Sequence, residues 1–267
     1  MRTASSYDPL DFSPPDVNLV SVLLAPQRLY HRPVCQGLSH LRADKPTLYV
    51  GNHTIFGVMD APLILEQIYR ATGVMPRALA DHMHYLIPGW RDMLHRFGVV
   101  DGTRENCRKL MGAGHPVLVF PGGGREVAKR KGEAYELAWK QRVGFVRMAV
   151  EHGYSITPFA SVGPEECYSI RIDANDLRAL PVWKWLKKTP LYTASRQGEM
   201  IMPFATGWLG SPLPRRERFH FAFGEPVSTD DYRGRETDDA ALLELQALVR
   251  TRVETLIKTV RSARPDQ

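Results

Sequence analysis

Two short stretches hold residues whose types and spacing could do chemistry. The first, GNHTIFGVMDAP from Gly51, puts Asn52 and His53 directly behind a β-branched and aromatic run, with Asp60 further along. An imidazole titrates near neutrality, so it can take a proton from a hydroxyl at physiological pH. A carboxylate partner would fix its tautomer and stabilise the imidazolium, and Asp60 is the nearest candidate. On a continuous helix that separation is about two turns and holds the side chains roughly 10 Å apart, so direct contact needs a loop. Gly57 makes such a loop feasible. Plainer roles stay open: a structural histidine after a strand, and an Asp60 that caps a helix starting at Ala61.

The second stretch is FPGGGRE, Phe120 to Glu126. Gly122, Gly123 and Gly124 let the backbone turn sharply and approach a ligand, and their N–H groups can form an anion-binding concavity. Arg125 adds a fork suited to phosphate or carboxylate. The stretch could stabilise an oxyanion or grip a phosphate. It lacks the Lys-Ser/Thr ending of a Walker loop and is no dinucleotide fingerprint. A plain strand-to-helix turn is the alternative. The run Lys129-Arg130-Lys131 reads more readily as a solvated helix face than as a phosphate site.

Both stretches follow strands. Thr47 to Gly51 and Pro116 to Phe120 are short apolar runs of buried-strand type, Arg77 to Ala80 is a weaker one, and Ser155 to Phe159 is another. Helices are expected over Ala61–Ala71, Arg104–Met111, Lys140–His152 and Asp238–Arg261. Short helices are expected between Val17 and Leu41, and a final strand over Arg218–Phe223. Alternating strands and helices argue an α/β fold with a mostly parallel central sheet flanked by helices. In such a sheet ligands bind beyond the carboxyl ends of the strands, where His53 and the glycines fall. One domain over residues 17–261 is expected, with loose ends at 1–16 and 262–267.

The chain has 267 residues, 43% apolar and 24% charged, enough for one full core. Its formal charge of +6 suits an anionic partner such as a phospholipid surface or a phosphate-bearing cosubstrate. No basic-and-aromatic nucleic-acid module is present, so no nucleic-acid partner is expected. Cys35, Cys107 and Cys167 are scattered, suggest free thiols in a reducing compartment, and give no metal spacing; no metal is expected. No run of about 18 apolar residues suggests a membrane span.

Taken together, the motifs resemble the glycerolipid acyltransferase superfamily. Its pattern is a His with a downstream Asp, an Arg-bearing segment, a Phe-Pro-(Glu/Gly)-Gly-x-Arg block and a strand carrying Pro. Here these are His53 with Asp60, Thr103-Arg104, FPGGGRE and Ile156-Thr157-Pro158. ADHMHYLIPGW from Ala80, GTRENC from Gly102, and Arg142-Val143-Gly144-Phe145 bring the chain nearest the diacylglycerol-acyltransferase-like branch, with phytyl ester synthases and transmembrane animal relatives. The resemblance implies a glycerolipid-acyltransferase-like fold and transfer of a fatty acyl group from acyl-CoA or an acyl-carrier protein, as cosubstrate, to a lipid hydroxyl. No further cofactor is implied.

By that resemblance His53 is the general base, with Asp60 its partner. Asn52, Thr103, Arg104, Gly122, Gly123, Gly124, Arg125, Glu126 and Pro158 are expected around substrate or oxyanion. The usual pattern puts the carboxylate where Val58 stands, which leaves Asp81 as a second candidate partner. Gly-Gly-Gly-Arg in place of Glu-Gly-Thr-Arg favours a neutral acceptor. A thioesterase or esterase is the alternative reading of the same residues. Trp183 and Trp185, with Lys184, Lys187 and Lys188, suit a membrane interface. The expected location is cytoplasmic and peripheral to a membrane.

Overall fold

The structure is a computed structural model that describes residues 7–189, 192–193 and 195–264. A seven-stranded sheet is built from β1 (Val34–Gln36), β2 (Thr47–Gly51), β3 (Arg77–Ala80), β4 (Val100–Asp101), β5 (Val117–Val119), β6 (Ser155–Val162) and β9 (His220–Phe223), in the order β1-β9-β6-β2-β5-β3-β4. Every neighbouring pair is parallel except β6 with β9. Strands β7 (Ser169–Ile172) and β8 (Phe204–Thr206) form a separate antiparallel pair. All five residues of β2 are buried, as expected of a strand covered on both faces.

The helices are α1 (Val17–Leu23), α2 (Ala25–His31), α3 (Ala61–Thr72), α4 (Trp90–Arg96), α5 (Arg104–Gly112), α6 (Gly124–Val127), α7 (Gly144–His152), α8 (Ala174–Ala179), α9 (Val182–Leu186) and α10 (Asp239–Ser262). Two cores sandwich the sheet. On one face Leu48, Val50, Ile156 and Ala160 meet Leu242, Leu245 and Val249 of α10, with α5 and α7 alongside. On the other, Tyr49, Phe159, Phe221 and Phe223 meet Leu63, Ile64 and Ile68 of α3.

The structure differs from expectation at several points. The helix expected from Lys140 starts only at Gly144, because Lys140 takes a left-handed φ of 50° and its carbonyl accepts from Gln246 on α10. Strand β6 runs on to Val162, where pairing with β9 extends it. The described part of the N-terminal stretch is packed: Tyr7 stacks on His95 at 3.7 Å, and the Arg77 guanidinium lies over Phe12 at 4.1 Å. Near the other end Arg264 pairs with Glu166 and Glu217; residues 1–6 and 265–267 lie outside the described residues.

Candidate active site

Sheet register brings the two chemical stretches together. Val50 of β2 pairs with Val119 of β5, so Asn52-His53 and the glycine turn leave the sheet side by side. The His53 ring stacks on Phe120 with centroids 3.9 Å apart and planes 6° from parallel. The His53 N–H donates to Glu126 Oε2 at 3.3 Å, and the Phe56 N–H donates to the Val127 carbonyl at 3.2 Å. The loop between His53 and Asp60 therefore hangs on the segment after the glycines. Gly57 is required there twice over. Its φ is +67°, and a Cβ would stand 2.7 Å from both His53 Nε2 and Val127 Cγ1.

A cavity of about 1610 Å³ opens at this edge of the sheet and is lined by His53, Gly123, Gly124, Thr103 and Arg104. Leu65, Met75, Leu94, Met111, Phe145 and Met148 give it apolar walls. Residues of both cores line it, so it reaches both faces of the sheet beyond β2, β5 and β3. Cavities of this kind, apolar with a few convergent polar groups, are where ligands bind.

Within the cavity wall His53 keeps partial surface exposure, and its Nδ1 has no hydrogen-bond partner among the described residues. Burial, then the charges of Lys129 and His84, push its pKa down to about 3. The ring is therefore neutral at physiological pH and has a lone pair to offer.

Asp60 is placed differently. It is fully buried behind the histidine and makes no hydrogen bond or ion pair with His53. Its side chain does not cap α3 either. Burial raises its pKa, opposed by the Ser161 and Thr54 hydroxyls and the Asp60 and Ala61 backbone N–H groups, none of which meets hydrogen-bond geometry with it. Asp81, the other carboxylate considered, lines the cavity but pairs with Arg196 at 2.8 Å and accepts from the Met83 N–H.

The remaining expected residues split into those that face the cavity and those that support it. Thr103 lines it, but its hydroxyl caps α5 by accepting from the Asn106 N–H. Arg104 is exposed at the first position of that helix. Asn52 is sealed in, bridging β2 to β6 through both backbone groups of Ser161, so its amide is not offered to a substrate. Glu126 is buried; it holds the N–H groups of His53 and Ala138, packs under Gly122, and is pushed up to about 7 by burial.

Arg125 corrects the idea of a phosphate grip. Its guanidinium is engaged by Glu133 through both carboxylate oxygens, at 2.9 and 2.5 Å. Pro158 lies against Gly224, which also abuts Leu256 of α10, and does not line the cavity. Trp183 is buried at 7% exposure, against Gly198 and Tyr192, which corrects its assignment to a membrane face. Trp185 is 66% exposed, and Lys184, Lys187 and Lys188 are exposed with it.

Three residues take roles that the sequence did not assign them. Arg142 lines the cavity and donates from Nη1 to the Pro121 and Gly122 carbonyls, each at 2.8 Å, which fixes the entry to the glycine turn. Met200 seats on Gly124 so closely that a Cβ there would collide with it. Lys129, in the run expected to be a solvated face, is buried. The only sequence signal for Arg142 was its place in the Arg-Val-Gly-Phe motif.

With this geometry established, comparison with known proteins is informative. A family model described as "Acyltransferase" matches residues 32–162, which contain both stretches. Phytyl ester synthase 2, chloroplastic, of Arabidopsis thaliana is 32% identical over 84% of this chain and 33% of its own length. The DGAT1/2-independent enzyme synthesizing storage lipids of Bos taurus is 27% identical over 83% of this chain and 60% of its own. The chain thus spans between a third and three-fifths of these relatives. The crystal structure of the 1-acyl-sn-glycerophosphate (LPA) acyltransferase PlsC from Thermotoga maritima superposes with a TM-score of 0.54 at 16% identity, covering 94% of this chain and 84% of that one.

Proposed function

We propose that this chain, whose residues 32–162 form an acyltransferase family-model domain, is a glycerolipid-type acyltransferase that transfers a fatty acyl group from an acyl thioester, carried by coenzyme A or an acyl-carrier protein, to the hydroxyl of a neutral lipid alcohol. The observation that carries this reading is the His53 imidazole, its Nδ1 without a hydrogen-bond partner among the described residues, stacked on Phe120 beside the glycine turn in one large apolar cavity. In the proposed reaction His53 takes the proton of the acceptor hydroxyl as its oxygen attacks the thioester carbonyl. The oxyanion forms against the Gly123–Gly124 turn. Collapse expels the thiolate, which recovers the proton from the imidazolium. No acyl-enzyme is needed.

A neutral acceptor is favoured because the Arg125 guanidinium is committed to Glu133. The relatives' names, phytyl ester synthase and storage-lipid enzyme, point the same way. The test supplies labelled acyl-CoA with and without a long-chain alcohol or diacylglycerol and identifies products by mass spectrometry. A new ester dependent on the alcohol is expected; free fatty acid alone, formed equally in its absence, would replace this reading with a hydrolase.

A lipid surface is the proposed partner, bound peripherally. Among the described residues no helix is long and apolar enough to cross a membrane. Helix α1 and its C-cap turn Val20 and Leu24 into the cavity wall, while Leu19 and Val22 are exposed and Leu23 is both. A short helix apolar on both sides and bordering a lipid-sized cavity suits a bilayer surface. Replacing Leu19, Val22 and Trp185 by Ser should lower partitioning onto anionic vesicles several-fold; unchanged partitioning would reject this face.

A further inference from the structure

Buried polar side chains that the proposed reaction does not use lie on the His53–Asp60 loop and on β6. Asp60 is fully buried with Thr54 and Ser161 beside it, Thr157 is buried further back along β6, and both Asp60 carboxyl oxygens and all three hydroxyls lack hydrogen-bond partners among the described residues. Glu165 follows β6 at its carboxyl end, bears electrostatically on Asp60 and is nearly sealed. With Glu126, three carboxyls are thus buried around the stem of the His53 loop. Native proteins seldom bury so many acidic groups without a compensating charge.

The compensating charge is Lys129. Its ammonium is 3.5 Å from Glu165 Oε1 and donates to the Glu136 carbonyl at 3.0 Å, and the two side chains are 2% and 5% exposed. It also bears on Glu126 and on His53. It stands two residues past Val127, whose carbonyl holds the Phe56 N–H of the His53 loop. We propose that Lys129 is a positioning residue of the active site: with Glu165 it pins the Gly124–Lys129 segment to the end of β6, and through Glu126 and Val127 that segment fixes where the His53 ring stands. This rests on the acyl-transfer reading, since it assigns Lys129 a part in supporting that reaction's base.

The pairing has an electrical consequence. Groups that bear on His53 are Lys129 and His84, while Glu126 holds its backbone N–H and Asp60 lies behind without contact. Lys129 opposes protonation of the ring. The resting enzyme therefore keeps the imidazole in its base form even where the medium turns mildly acidic. Arg142 adds to the positive field on Glu126.

The test follows the His53 titration by NMR in the labelled 267-residue chain, assigned by its absence in His53→Gln, together with the pH profile of ester formation. In Lys129→Met the His53 titration should move up by about one pH unit or more, as expected on losing a nearby like charge. The acid limb of kcat/KM should move with it, and kcat should fall about 10- to 100-fold, as for supporting residues at other sites, with KM for acyl-CoA within about threefold. Lys129→Arg should return the limb toward its wild-type place. Should Lys129→Met fail to fold, the uncharged pair Lys129→Met with Glu165→Gln removes the orphaned charge and should show the same upward shift. An unmoved His53 titration in whichever variant folds overturns the proposal, even with a lowered melting temperature. The NMR reading does not depend on turnover, so a wild-type protein that forms no ester would reject acyl transfer without bearing on the titration result.

Discussion

The site has two layers that contrast at every point. In front, His53, Gly123, Gly124 and Arg142 line an apolar cavity. Behind, Asp60, Glu126 and Lys129 are buried and the Glu165 side chain is nearly so; all are charged or chargeable and absent from the cavity wall. The sequence motif strings residues of both layers together: His53 and Asp60 share one loop, and Gly124 and Glu126 share one turn of helix. The fold separates them. A motif therefore marks which residues the site needs without saying which of them touch a substrate, and the front layer is placed by the back one.

The contrast can be broken first at Gly57, where front and back meet. Gly57→Ala forces a Cβ against the imidazole in a left-handed conformation. Displacing a catalytic group by about 1 Å costs on the order of 10² in rate, so kcat should fall at least that far while acyl-CoA binding, measured by calorimetry, is largely kept. Activity near wild type would mean that the ring position seen here is not the working one.

Asp60→Asn comes next. Asp60 is a back-layer group without contact to the ring, so its loss should act through loop orientation, lowering kcat about 10- to 100-fold and by less than loss of His53 itself. A drop equal to that of His53→Ala would place Asp60 in the front layer, as the direct partner expected from the motif.

Glu126 gives the smallest and most specific effect, in stability against pH. Its folded pKa is raised to about 7 by burial. Between its unfolded value and about 7 the folded state holds a proton that the unfolded state has lost, so this group's contribution is full at the acid end and is lost as pH rises toward 7. Glu126→Gln cannot ionise. The melting-temperature gap between wild type and Glu126→Gln should therefore narrow from pH 5 to pH 7.5, by an amount corresponding to roughly 1–3 kcal/mol. A gap that widens would contradict a carboxyl held largely neutral.

Much of the scaffold was legible. Strands β2 and β5 stand out as short runs rich in β-branched, aromatic and aliphatic residues because both sheet faces are covered. Once both are read as parallel strands, the adjacency of His53 and the glycine turn follows from where parallel sheets open. Strands β1, β4, β7 and β8 were not legible, since runs of two to four residues owe their conformation to partners distant in sequence. Arg125 misled for a similar reason: nothing in FPGGGRE shows that Glu133 will take its guanidinium. Lys129 is indistinguishable from Lys131 in sequence, yet Lys131 pairs with Asp176 at the surface while Lys129 is sealed beside Glu165. Trp183 and Trp185, two residues apart on α9, fall on opposite sides of the same surface.

The most direct test of the account is the initial rate of ester formation by His53→Ala at saturating acyl-CoA and alcohol, on protein whose melting temperature matches wild type within about 3 °C. The account predicts a loss of at least about 10²-fold, the scale of a missing general base. A folded His53→Ala that forms ester at more than a tenth of the wild-type rate would contradict it.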